Sequence, residues 1–280
     1  MALLTASGSK RVLPGLSLSL GVSLLFVALI LLLPLSGLFV QMQDMSLAQY
    51  WAVITDARVV ASYKVTLLAA LIASVANAFV GLLLAWVLVR YEFPGRRLMD
   101  ALVDLPFALP TAVAGITLAT LWSGNGWYGQ WLESVGIKVA YTPLGIIVAM
   151  AFTSLPFVVR TVQPVLEDLA PEYEEAAISL GASDWRVFCK VVFPALWPAL
   201  MTGVALSFVR SLGEYGAVVF IAGNMPYVSE IISLMIFVRL QEFDYGAASA
   251  IASVVLLVSL VLLFLINAWQ SRWFKRLQGR

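Results

Sequence analysis

PEYEEAAISLGASDWRVFCKVVFP, residues 171–194, decides how the rest of the chain is read. Glu172, Glu174, Glu175, Asp184, Arg186 and Lys190 gather there between two hydrophobic runs, with Glu167 and Asp168 just before. Local chemistry predicts two short helices about a glycine. Pro171 suits a first helical position, where its missing N–H costs nothing. Glu172, Glu174 and Glu175 then meet the positive end of the helix dipole. Tyr173, Ala177 and Leu180 fall at i, i+4 and i+7, giving one modest apolar face. Gly181 stands where a left-handed C-terminal cap is expected. Ser183 is placed to cap a second helix with Asp184 in its first turn, and Pro194 closes the stretch before the next apolar run. Two readings follow: a plain connector between spans, or a docking surface whose small residues Ala176 and Ala177 admit a close partner.

Outward from this stretch the chain is apolar. Of its 280 residues 61% are hydrophobic and only 12% charged, against about 25% charged in a soluble domain. This is the composition of an integral membrane protein. The net charge of +1, with no basic run away from the chain ends, gives no footing for nucleic acid. Cys189 is the single cysteine and histidine is absent, which excludes the usual zinc, haem and disulfide frameworks.

The apolar runs predict an all-α protein of one membrane domain, residues 1–280, with six spans at 16–40, 65–89, 105–123, 142–159, 197–221 and 245–271. The first run is too long for the core of a signal peptide and is expected to remain as a span. Asn77, midway along the second, needs a partner helix or a pathway, and packing is the simpler role. Pro106 and Pro110 open the third span, where each removes a backbone hydrogen bond. They either kink the helix or place freed carbonyls on a translocation pathway. Gly203, Ser207 and Ser211 recur every four residues in the fifth, a stripe that allows close helix contact. Residues 231–238 are apolar but too short to cross, and read as a short outer or re-entrant helix. With both ends placed inside, that side holds Lys10, Arg11, Arg90, Arg96, Arg97, Arg160, Arg186, Lys190, Arg272, Lys275, Arg276 and Arg280. The outer side keeps only Arg58, Lys64, Lys138 and Arg239. The excess of bases puts both termini and the polar hairpin in the cytoplasm.

Arg210 and Glu214 lie four apart within the fifth run, hence on one helix face. Charge in a bilayer is costly, about 2.5–3.5 kcal/mol per residue on insertion scales, so it pairs or faces water. The two residues therefore form an ion pair that locks helices, or line the passage of an anion; arginine's planar fork suits an oxyanion.

The spacing within the hairpin resembles a known family. Glu175-Ala176-Ala177, three residues, Gly181, nine residues and Val191-Val192-Phe193-Pro194 is similar to the EAA loop of ATP-binding-cassette importer permeases, EAA-x3-G-x9-I-x-L-P. Val191 and Phe193 depart from it conservatively. The resemblance implies that Glu174, Glu175, Ala176, Ala177, Gly181 and Pro194 couple the chain to a cytoplasmic ATPase. Three more segments resemble oxyanion permeases of the sulfate/thiosulfate and molybdate type: DLPFALPTAVAG (104–115), ALSFVRSLGEYGAVVFIAGN (205–224) and SLMIFVRLQEFDYGAASAIAS (233–253). The RSLGEYG part of the second narrows the resemblance to oxyanions; the last, with PFVVRTVQPVLEDLAPEYEEAA (156–177), favours sulfate over molybdate, and together the segments are similar to the T-type permease subunits. The implied architecture is a type I importer in a bacterial inner membrane. The implied partners are two ATPase subunits, a related W-type permease subunit and a periplasmic sulfate- or thiosulfate-binding protein, within membrane lipid. No G-x-x-x-x-G-K-[ST] phosphate loop occurs in the chain. No cofactor is expected on it, and ATP with Mg belongs to the partner ATPase. A molybdate or other oxyanion permease is the near alternative. An ion-coupled secondary transporter is the distant one, since Glu214 alone offers a relay and no repeat is visible. A membrane-embedded enzyme would need a nucleophile, base or metal cluster within the spans, and none stands out.

Overall fold

The computed structural model describes residues 16–277; Lys10, Arg11 and Arg280 lie outside the described residues, as do the side chains of Arg272, Lys275 and Arg276. The helices are α1 (Leu16–Val27), α2 (Leu33–Gln41), α3 (Leu47–Ile54), α4 (Ala57–Arg90), α5 (Arg96–Val103), α6 (Leu105–Ala108), α7 (Thr111–Trp122) and α8 (Gly129–Ser134). They continue as α9 (Pro143–Glu167), α10 (Pro171–Ser179), α11 (Asp184–Val187), α12 (Phe193–Leu212), α13 (Val218–Ile221), α14 (Ile232–Gln241) and α15 (Tyr245–Leu277). No strand occurs among the described residues.

At the centre α4, α9 and α12 pack against one another, with α15 against α12, α14 and α2. Small residues set the spacing. A Cβ on Gly81 would stand 2.7 Å from Val158 Cγ1, and one on Gly203 would stand 2.8 Å from Val158 Cα. Asn77 is buried between these helices, its Nδ2 donating to Ser154 Oγ at 2.9 Å and to the Ala151 carbonyl at 3.0 Å. Ser207 Oγ lies 2.9 Å from Ser154 Oγ. The packing role expected of Asn77 and of the Gly203–Ser207–Ser211 stripe is what the bundle uses. Gly203→Leu would drive a side chain into the α9 backbone, an overpacking worth about 1–3 kcal/mol. The purified subunit is expected to melt at a lower temperature; a leucine variant with unchanged melting would mean that Gly203 does not set the α9–α12 distance.

Proline decides where helices break and where they continue. Leu109, at ψ 135°, is extended before Pro110, which serves as the N-cap of α7, as the residue preceding a proline prefers. The apolar run 105–123 is thus two helices and not one. Pro156 and Pro164 instead lie inside α9, which continues past Arg160 to Glu167. Pro34 and Pro194 each follow a π-turn, Ala28–Leu32 and Phe188–Val192. There the register has already shifted, with Leu33 N–H bonded to the Ala28 carbonyl and Phe193 N–H to that of Phe188. The missing proline donor is absorbed at the bulge. The second hairpin helix therefore runs without interruption into the membrane run, as a 29-residue helix from Asp184 to Leu212. Its other end is Gly213, short of the expected residue 221. Among the described residues five helices are long and apolar enough to cross a membrane: 18–41, 57–90, 143–167, 184–212 and 245–266. Helix α14 is the short element expected near 231–238. Thr66 Oγ1, buried in α4, accepts the Ile232 N–H at 2.9 Å at its start.

Candidate functional site: the polar hairpin and the Arg210–Glu214 pair

Local rules build the hairpin. Pro171 opens α10, with Glu172 and Glu174 in its first turn. Gly181, at φ +83°, ends it. Its N–H bonds the Ile178 carbonyl at 2.8 Å and the Ala182 N–H bonds that of Ala177 at 3.1 Å, the paired bonds of a Schellman cap. Ser183 holds the N-cap position of α11, but its side chain makes no capping bond. Ala177 and Ala182 pack with buried Val187 and Val192 onto the ends of α4 and α9.

The hairpin residues divide by direction. Glu174 is drawn inward to pair with Arg90, the last residue of α4. The Arg90 guanidinium lies 5.4 Å from the Trp86 ring centroid. Trp86 meets Phe188 edge-on at 5.3 Å, and Trp185 stacks on Phe188 at 5.7 Å. Glu175, Ala176 and Gly181 are exposed, and so are Tyr173, Ile178 and Leu180, the last at 89%. Large apolar groups exposed together among carboxylates are the kind of patch that marks an interaction surface. Pro194 is exposed and stands in the first turn of α12, just after the π-bulge that joins hairpin to membrane helix. Arg90 and Trp86 were not marked by sequence as part of the hairpin. Their partners are 84 and 102 residues away, and only the clustering of bases near residue 90 pointed to that end of the chain.

Arg210 and Glu214 do come together, with Nη1 2.8 Å from Oε2. They do not share a helix: Arg210 lies in the last turn of α12, and Glu214 follows the cap residue Gly213. Glu214 is 1% exposed, and its Oε1 accepts the Ala217 N–H at 3.0 Å, while Arg210 keeps a third of its side chain open. Arg210 lies 26 residues along the helix from Asp184, about 40 Å at the helical rise. Pro106 sits in the first turn of α6, and Pro110 at the break before α7. Helix α7 packs on α13, so close that a Cβ on Gly115 would lie 2.8 Å from Ala217 Cα. No cluster of histidine, cysteine or carboxylate side chains fit for a metal occurs among the described residues.

Helices long and apolar enough to cross a membrane, joined to an acidic hairpin with exposed apolar side chains, define the class as a multi-helix membrane component. The chain belongs to the family of binding-protein-dependent transport system inner membrane components, whose model matches residues 77–278. It is an inner-membrane transport component and not an enzyme. It is 69% identical over 274 residues, 98% of this chain and 99% of the relative, to the sulfate transport system permease protein CysT of Escherichia coli (strain K12). The CysT protein of Salmonella typhimurium (strain LT2) shows the same identity and coverage. In fold it is similar to a chain of a bacterial alginate ABC transporter solved in complex with an alginate pentasaccharide-bound periplasmic protein. The TM-score there is 0.76 at 18% identity, covering 92% of this chain and 94% of that one.

Proposed function

We propose that this chain is one of two permease subunits of an ATP-driven importer that carries sulfate, and thiosulfate of the same charge and shape, into the cytoplasm. The observation that carries this is the 69% identity to CysT permeases across nearly the whole of both chains. Glu175, Ala176, Gly181 and the exposed Tyr173 and Leu180 form the face that meets the ATPase, and ATP with Mg is bound and hydrolysed there. A periplasmic binding protein delivers the anion to the opposite side, and a related permease completes the membrane core. The hairpin and both termini are cytoplasmic. In support, Arg90, Arg96, Arg97, Arg160, Arg186 and Lys190 cluster at the hairpin end, whereas Arg58 stands at the start of α4. The whole chain acts as one membrane domain with six crossings. Both α4 and α9 end at the hairpin, through Arg90–Glu174 and the direct run from Glu167 to Pro171. The chain must therefore cross back between them, and the broken helix α6–α7 is the sixth crossing.

Cells lacking their own sulfate permease, given this chain with its binding protein, second permease and ATPase, are expected to take up radiolabelled sulfate. Thiosulfate should compete and ATP depletion should stop uptake. Uptake that survives ATP depletion and collapses with an ionophore would instead mean ion-coupled transport, and competition by molybdate at equal concentration would move the chain to the other oxyanion branch.

A further inference from the structure

Arg160 uses every donor it has. Its Nε–H bonds Asp104 Oδ1 at 2.9 Å; Nη1 bonds Asp100 Oδ1 at 2.6 Å and Gln163 Oε1 at 2.7 Å. Nη2 bonds Asp104 Oδ2 at 2.6 Å and the Asp100 carbonyl at 2.8 Å. A guanidinium carries five N–H groups in a fixed plane, and all five are placed. One turn back on α9, Phe157 meets Phe107 of α6 edge-on at 5.2 Å. Two contacts on one face of α9 thus grip the segment from Asp100 to Phe107.

The position of this clamp matters more than its strength. Solvent-exposed ion pairs contribute little to stability on average, and Arg160, Asp100 and Asp104 are 31%, 41% and 48% exposed. Geometry is another matter, because a fork bonded to two carboxylates fixes orientation as well as distance. Helix α9 leads within four residues into α10 of the hairpin. Asp104 lies between α5 and α6, directly before the Pro106–Pro110 break, and α7 beyond it abuts the 216–217 turn that follows Glu214. The chain of rigid pieces is therefore hairpin, α9, Arg160, Asp104, broken helix, and the turn beside the Arg210–Glu214 pair. Among the described residues the ion pairs that join α9 to the segment from Asp100 to Phe107 are those of Arg160, and Glu174 ties the hairpin to α4 instead.

We propose that Arg160 is the positioning residue that carries displacement of the hairpin to the broken helix α6–α7, acting through Asp100 and Asp104. This rests on the transport function proposed above. Lysine keeps the charge but has a single ammonium in place of the fork, so it can hold one carboxylate and not both. The test uses the complete complex with its binding protein in vesicles, comparing Arg160→Lys and Asp104→Asn with the unaltered chain. Three quantities are read: complex recovered, ATP hydrolysed, and sulfate moved per ATP. Both variants are expected to assemble and hydrolyse ATP while sulfate per ATP falls at least tenfold. The double variant should be no worse than either single one, because both act through one contact. Sulfate per ATP that stays normal in either variant overturns the proposal, and so does a loss of uptake that merely follows loss of complex. An unaltered complex that hydrolyses ATP without moving sulfate would instead overturn the proposed function, and the role of Arg160 with it.

Discussion

Gly181→Val is expected to abolish coupled sulfate uptake, whereas Gly181→Asn retains most of it. Gly181 holds φ +83°, and no atom outside its neighbours stands within 4 Å of where its Cβ would be. Space is thus not limiting, and any effect of substitution arises from the backbone. The left-handed region costs an ordinary L-residue roughly 1–2 kcal/mol, asparagine visits it readily, and a β-branched residue is a true outlier there. Valine must therefore unwind the cap, losing the bonds to the Ile178 and Ala177 carbonyls. The turn between α10 and α11 then opens, moving Glu175, Ala176 and Leu180 relative to the aromatic seat under Trp185. ATPase recovered with the complex, together with uptake, checks this. The expected outcome for valine is at least a tenfold drop in uptake with weak ATPase retention or uncoupled hydrolysis. Normal coupled uptake by the valine variant would remove the hairpin from the coupling role.

The features legible in sequence were those set within a few residues. Pro171 at the first helical position, Glu172 and Glu174 in the first turn of α10 and the left-handed Gly181 follow from local backbone preferences, and each is as the structure has it, while Glu175, expected with the other two acids, falls beyond the first turn. Asn77 was legible in kind, since a lone amide in an apolar run has to find acceptors, though not in which serine it meets. The proline positions were ambiguous because one residue type has three outcomes here. Pro110 breaks a helix, Pro156 and Pro164 sit inside one, and Pro34 and Pro194 follow π-bulges. What decides among them is whether packing against neighbours holds the chain straight, and a single sequence does not print its neighbours. The polar links were illegible for the same reason. Arg90–Glu174, Arg160–Asp104 and Arg58–Glu230 join residues 84, 56 and 172 apart. Arg210–Glu214 and Arg239–Glu242, four and three apart, are close enough to pair on paper, and in the first a helix stop at Gly213 intervenes.

The Arg210–Glu214 pair admits a decisive experiment because its two members are enclosed to different degrees. Glu214 is sealed, and its Oε1 already serves the Ala217 N–H; Arg210 is the open member. Removing one partner of a buried ion pair leaves the other unpaired, at about 3–5 kcal/mol when both are enclosed; the exposed third of Arg210 places this pair at or below the lower figure. Glu214→Ala deletes the pair and the Ala217 acceptor together, and the assembled complex is expected to fall severalfold. Arg210→Lys is the informative variant. It preserves a cation for Glu214, so recovery of the complex should stay near that of the unaltered chain. It removes the planar fork, and hydrogen bonds to a charged group contribute about 1.5–3 kcal/mol, so sulfate uptake is expected to fall about ten- to hundredfold if the anion passes Arg210. Recovery and uptake are measured on the same preparations. Uptake unchanged by lysine would take Arg210 off the pathway, and complex lost with lysine would make the pair purely structural. Arg58, Arg160 and Arg239 are paired and as exposed as Arg210, so exposure alone does not separate the two roles; the lysine variant does, because it keeps the charge that Glu214 needs and removes only the fork.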